Sequence, residues 1–334
     1  MVDPVVAPRW TSSYALRMLA IIVVVTIAAC SAPKADSSGA ASSPQTVDSG
    51  EKTYPTTAQV LMAVKSAQTL SELPHSVEAS LTQENDTALK NPFDCVSVDN
   101  QAHAEYFGDC AFGDPGGSKL MAVYGDSHAS MWAFALASVA KANGWKLRVF
   151  SLGGCPVPNL HFISSQTLAP NTNCDLFHAT AAASIRELRP DLVILTSFSS
   201  EYLAEGRMPS GPEWQQGLES AFHDVSQPGT RLAMLGDIPT WPQNDARCLA
   251  AHVDAVQECS VAAADGTPAN LDAEKAAAAT VGATYVSTIP WACLERCEPV
   301  IAETRVFSNQ YHFSRLYTEY VTGALGESLQ PALH

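Results

Sequence analysis

The sequence predicts an α/β domain built on a parallel β-sheet with helices on both faces, and three observations predict it. From Lys119 onward, short apolar runs alternate with stretches of helical character, the pattern of strand–crossover–strand units. The run from Asp191 to Thr196 is almost continuously apolar, as expected of a strand buried on both faces. With 334 residues and 46% hydrophobic content, the chain has ample material for a core.

The elements follow in order. Arg9 and Arg17 precede an apolar run from Met18 to Ala29 that ends on small residues. This describes an export signal and is short for a membrane span. Ile27-Ala-Ala-Cys30 resembles the bacterial lipobox, in which the cysteine carries lipid, so residues 1–29 are expected to be a lipoprotein signal peptide. Residues 30–53 are small and polar, a flexible tether. Residues 54–118 form an N-terminal flap, with Val60, Leu61, Val64 and Leu70 suggesting one helix over 57–70. The main domain occupies 119–334. Within it the predicted strands are 120–124, 147–152, 191–196, 231–235 and 284–289. Helices are expected over 129–140, 174–188, 214–225, 271–281 and 313–329.

Charge and cysteines narrow the class. An excess of 34 acids over 19 bases disfavours nucleic acid and docking on anionic headgroups. If Cys30 carries lipid, the remaining cysteines are Cys95, Cys110, Cys155, Cys174, Cys248, Cys259, Cys293 and Cys297. An even set in an exported chain reads as a disulfide framework. The simplest pairing joins sequence neighbours: 95–110, 155–174, 248–259 and 293–297. No CxxC pair or HxxxH cluster points to a metal, and no phosphate-cradling glycine motif points to a nucleotide cofactor.

Two segments could carry chemistry. Gly125-Asp-Ser127-His128 follows the first strand and precedes a helix, so Ser127 projects into the crevice at the carboxyl edge of the sheet. The free N–H groups of a helix start could hold the oxyanion formed when a serine attacks an ester, although Asp126 or Ser127 could equally be a plain helix cap. Asn309-Gln-Tyr-His312-Phe-Ser314 lies before the last helix, and loops of a parallel sheet converge on one edge. A histidine there could take and return the serine proton, or His312 and Ser314 could simply start the helix. After the fourth strand, Asp237 and Asp245 flank Trp241, on which a sugar could stack.

Taken together, these residues resemble the SGNH (GDSL-type) hydrolase family, of the extracellular kind associated with family-three membrane acyltransferases. The resemblance runs from about residue 93 to 330. It rests on Gly125-Asp-Ser-His128, Gly153-Gly-Cys-Pro156, Asp191-Leu-Val-Ile-Leu195, Gly282-Ala-Thr-Tyr-Val286, Trp291, Cys293 and His312-Phe-Ser314. It implies a flavodoxin-like three-layer sandwich, stapled by disulfides, and acyl-ester chemistry on O-acetylated envelope sugars. It makes Ser127 the nucleophile and His312 the base, with the Ser127 and Gly154 amides as oxyanion donors. The family's third donor is usually an asparagine after the third strand; Ser197 would have to replace it here. The family also places an aspartate three residues before the histidine, where this chain has Asn309.

The expected protein is therefore a lipid-anchored extracytoplasmic esterase or O-acyltransferase without cofactor. Its partners would be an acylated envelope glycan, a separate membrane acyltransferase as acyl donor, and the membrane through lipid alone. Asn309 also supports an alternative, a non-catalytic glycan-binding lipoprotein on a degenerate domain. A secreted lipase would fit the serine motif but lacks an apolar lid segment.

Overall fold

Continuous apolar runs become parallel strands because each alternate side chain finds a separate core. In the computed structural model, which describes residues 52–81, 111–164, 167–241 and 245–334, six strands form the main sheet. They are β1 (Ala111–Gly113), β2 (Lys119–Gly125), β3 (Trp145–Ser151), β4 (Leu192–Thr196), β5 (Arg231–Leu235) and β6 (Thr284–Val286), in the order β1-β3-β2-β4-β5-β6. The last five in that order are parallel, and β1 is an antiparallel edge on β3. The parallel set thus has the flavodoxin-like order, and the order reverses at β2, where a crevice opens at the carboxyl ends of the strands.

Period-two alternation divides each strand between two layers. Met121, Val123, Leu192 and Ile194 face one core; Ala122, Tyr124, Val193 and Leu195 face the other. The first core is closed by α3 (Ser127–Ala142) and the C-terminal α8 (Thr322–Leu333), the second by α4 (Thr172–Leu188), α5 (Gly211–Val225) and α6 (Leu271–Val281). The N-terminal arm carries α1 (Thr57–Ala67) and α2 (His75–Leu81). It is fastened by Glu327 accepting the Thr57 N–H at 2.8 Å and by Gln68 donating to Glu298 at 2.7 Å.

Two predicted elements differ. The fifth parallel strand stops at Val286, because Pro290 initiates a 3₁₀ turn over Ile289–Trp291. The single helix expected over 313–329 is two, α7 (Arg315–Tyr320) and α8, and Phe313 belongs instead to a hairpin of β7 (Phe307–Asn309) and β8 (His312–Phe313). Ser314 caps α7, its hydroxyl accepting from the Tyr317 N–H at 3.1 Å. Cys155–Cys174, Cys248–Cys259 and Cys293–Cys297 are bonded as sequence neighbours. Cys30, Cys95 and Cys110 lie outside the described residues. Among the described residues no helix is long and apolar enough to cross a membrane.

One glycine sets the crevice. A Cβ on Gly125 would lie 2.0 Å from the Thr196 carbonyl oxygen, so β2 and β4 can approach this closely only with glycine there. Gly125→Ala is expected to destabilise the fold by about 3 kcal/mol through forced separation of the two strand ends. A urea titration measures this; an unchanged midpoint would mean the strands separate freely.

Candidate active site

The close approach of β2 and β4 puts residue 126 at the point where the chain turns into α3. Asp126 caps that helix, its Oδ1 accepting the His128 N–H at 2.9 Å. Its Oδ2 accepts the Phe198 N–H at 2.9 Å and the Tyr202 hydroxyl at 3.2 Å, tying the loop after β4 to the start of α3. Burial drives its pKa up to about 6, against the pull of His128.

Ser127 opens α3 and meets the β7–β8 hairpin. Its Oγ lies 2.8 Å from His312 Nε2, across 185 residues of sequence. On the ring's other side, Asn309 Oδ1 lies 2.9 Å from His312 Nδ1. The same oxygen accepts the Tyr311 N–H at 2.9 Å, so the amide presents oxygen to the ring and Nδ1 must carry the proton. That leaves Nε2 as the acceptor of the Ser127 O–H, the tautomer a general base needs. Burial and the neighbouring His128 push the His312 pKa down to about 3. No carboxylate touches the ring among the described residues.

The sequence-predicted residues fall into three groups. Ser127, His312 and Asn309 form one hydrogen-bonded line. Gly154 lies at the tip of the turn after β3 with φ +76°, and neither its N–H nor that of Ser127 bonds to a protein acceptor among the described residues. Ser197 is a correction. Its hydroxyl is fully buried, accepts the Val157 N–H at 3.1 Å and faces the Phe198 carbonyl, so it shapes the loop and is not offered to an oxyanion. Trp241 is likewise closed to a sugar: it is 2% exposed and packs on Phe307 at 4.5 Å between ring centroids. Asp245 is spent on a buried bidentate pair with Arg305, both bonds 2.9 Å.

A cleft of about 470 Å³ opens beside the Gly153–Gly154 turn, with Glu201, Tyr202, Asn171 and Leu168 on its other walls. Its lining mixes polar and apolar groups. Two clusters bring metal-type donors together among the described residues: Cys155, Cys174 and His178, and Cys248, His252 and Cys259. Their sulfurs are joined as disulfides and offer no thiolate.

Sequence reasoning missed Glu274 beneath the site, took Asp237 only as a loop residue beside Trp241, and had His128 only as part of the serine motif. His128, fully buried, stands with its ring 5.3 Å from that of His312. Asp237 at the end of β5 and Glu274 on α6 are also fully buried. The only signals were an acid directly after an apolar strand and a histidine beside the serine.

The family described as "SGNH domain (fused to AT3 domains)" matches residues 94–326. No curated protein matches the chain. Among solved structures, the periplasmic domain of the Salmonella ser. Paratyphi A lipopolysaccharide acetyltransferase is similar at 14% identity, with 64% of this chain and 84% of that chain covered and a TM-score of 0.50. A Bacteroides fragilis protein classed as an acylhydrolase is similar at 15% identity over 69% of this chain and 95% of that one, with a TM-score of 0.40.

Proposed function

Because this chain belongs to the family of SGNH domains fused to AT3 domains, an acyl-esterase and acyltransferase kind of domain, we propose that it is an extracytoplasmic serine esterase or O-acyltransferase acting on O-acetyl groups of cell-envelope glycans. The observation that carries the reading is the 2.8 Å contact between Ser127 Oγ and His312 Nε2 at the switch point of the sheet.

In this reading Ser127 Oγ attacks the ester carbonyl carbon while His312 Nε2 takes its proton. The carbonyl oxygen becomes an oxyanion held by the Ser127 and Gly154 N–H groups. The C–O bond to the sugar then breaks, and His312 returns the proton to the departing sugar oxygen. Acyl-Ser127 is left. Water attacking this ester, with His312 again as base, makes the protein an esterase; a second sugar hydroxyl makes it a transferase. Asn309 orients the ring but gives the imidazolium no countercharge.

The acetyl group and the glycan are supported by the Salmonella domain, named for lipopolysaccharide acetyltransfer, and by the mixed lining of the cleft. In the same reading Cys30 carries a lipid anchor, the domain works outside the cytoplasm, and a separate membrane acyltransferase supplies acyl groups. Asn309 favours one second reading, a binding-only glycan lipoprotein. A fluorophosphonate probe on the full chain, followed by intact mass, separates the two. One adduct that is lost in Ser127→Ala is expected, and a folded protein without adduct would favour binding.

Acid tolerance tests the base. The neutral form of His312 is the active one, and its pKa lies near 3. Hydrolysis should therefore hold as pH falls from 7 to 5, where a base at the ordinary histidine value would lose about 25-fold. A limb near 6.5 in kcat/KM would mean that another group accepts the serine proton.

A further inference from the structure

Both ring nitrogens of His128 face oxygen acceptors, one in a hydrogen bond and the other at ion-pair distance. Its Nε2 lies 2.8 Å from the carbonyl oxygen of Tyr311. Its Nδ1 lies 3.1 Å from Asp237 Oδ1, a contact off the hydrogen-bond axis but well within ion-pair range. Asp237 is itself surrounded by donors: Oδ2 accepts the Ser199 N–H at 2.7 Å and its hydroxyl at 2.8 Å, and Oδ1 accepts the Ile238 N–H at 2.7 Å. All three of these groups donate to Asp237, so it faces His128 as an acceptor. A carbonyl and a carboxylate on the two nitrogens call for protons on both, which is the imidazolium form.

The contact to Tyr311 matters because of where that carbonyl sits. Tyr311 precedes His312 and forms the turn between β7 and β8. Asn309 holds its N–H, and His128 holds its C=O. The peptide units on either side of Tyr311 are thus pinned, one from within the hairpin and one from α3, the helix that carries Ser127. We propose that His128 and Asp237 are a positioning pair, in which the Asp237 carboxylate keeps His128 doubly protonated and His128 grips the His312 turn against Ser127, in place of the carboxylate absent at position 309. The pair touches neither substrate nor the reacting atoms.

Every charged or titratable group facing His128 fits this assignment. Asp126 lies at the start of its own helix, Asp237 after β5, and Glu274 comes from α6, its Oε2 accepting the Asp237 N–H at 3.0 Å. Tyr202 reaches Asp126 from the loop after β4, and His312 faces the ring from β8. Burial opposes charge on His128, yet the nearby Asp237, reinforced by Asp126, leaves its pKa raised. Burial together with the Asp237 charge drives the Glu274 carboxyl well above its usual range.

The inference rests on Ser127 as nucleophile, so its test begins with the parent. Two neutral pairs are compared with it: His128→Gln/Asp237→Asn, whose amide can still donate to the Tyr311 carbonyl, and His128→Ala/Asp237→Asn, which cannot. Fluorophosphonate labelling of Ser127 and kcat on an acetyl ester are expected to fall at least tenfold in the alanine pair, with KM little changed. The glutamine pair should stay within a few-fold of the parent. In both pairs the acid limb of kcat/KM should move to higher pH, because the cation facing His312 is gone. Equal labelling of parent and alanine pair would overturn the inference alone, whereas a parent that does not label overturns the esterase reading and the inference with it. Side-chain nitrogen NMR of the unmutated chain decides the point without a variant: His128 should carry protons on both nitrogens at pH 7, and a neutral ring there would overturn the pair.

Discussion

Asn309→Asp is expected to raise the rate of acyl-ester hydrolysis by as much as about 10⁴-fold, the factor by which the converse exchange slows a serine protease. The local geometry favours a full gain. Asn309 Oδ1 already receives both the Tyr311 N–H and His312 Nδ1 at 2.9 Å, so a carboxylate oxygen can inherit both contacts. What it adds is charge. It stabilises the imidazolium formed when Ser127 gives up its proton, and it raises the His312 pKa from its depressed value. Two readouts should therefore move together: kcat upward, and the acid limb of the pH profile toward the ordinary histidine range. A higher rate with an unmoved limb would locate the gain elsewhere.

Ser127→Ala has an expected effect that depends on position 309. In a complete triad, loss of the serine costs roughly 10⁶-fold and loss of the acid alone roughly 10⁴-fold, because the members act as a unit. A site that already lacks the acid has little of that advantage left. Ser127→Ala should accordingly lower kcat by about 10²-fold in the parent but by roughly 10⁶-fold in the Asn309→Asp background. The comparison needs only kcat for one acetyl ester in four proteins. Equal losses in both backgrounds would show that the residue at 309 and the serine act independently, contrary to a shared proton path.

The parts of the fold that were legible in the sequence are those with a strong period. Leu192 to Leu195 reads as a doubly buried strand because it is one, with Leu192 and Ile194 in one core and Val193 and Leu195 in the other. The β7–β8 hairpin escaped because β8 is only two residues long and leaves no periodicity to detect. The line Ser127–His312–Asn309 was legible because its members lie in two compact motifs. The pair beneath it was not. His128, Asp237 and Tyr311 come from three distant segments, and nothing local marks a histidine as fully buried with a buried acid. Ser197 shows the opposite error: a hydroxyl at the right loop position is turned inward by the Val157 N–H.

The three bridges described above span 19, 11 and 4 residues, and each joins a cysteine to the next one along the chain. Closing loops that short restricts few alternatives, so they add less to global stability than long-range staples would. Their value lies in assembly order. As these six cysteines emerge in order, each can pair with the one that follows it in the bridges described, and in-order oxidation among the six yields these three bridges. These three bridges need no reshuffling among themselves.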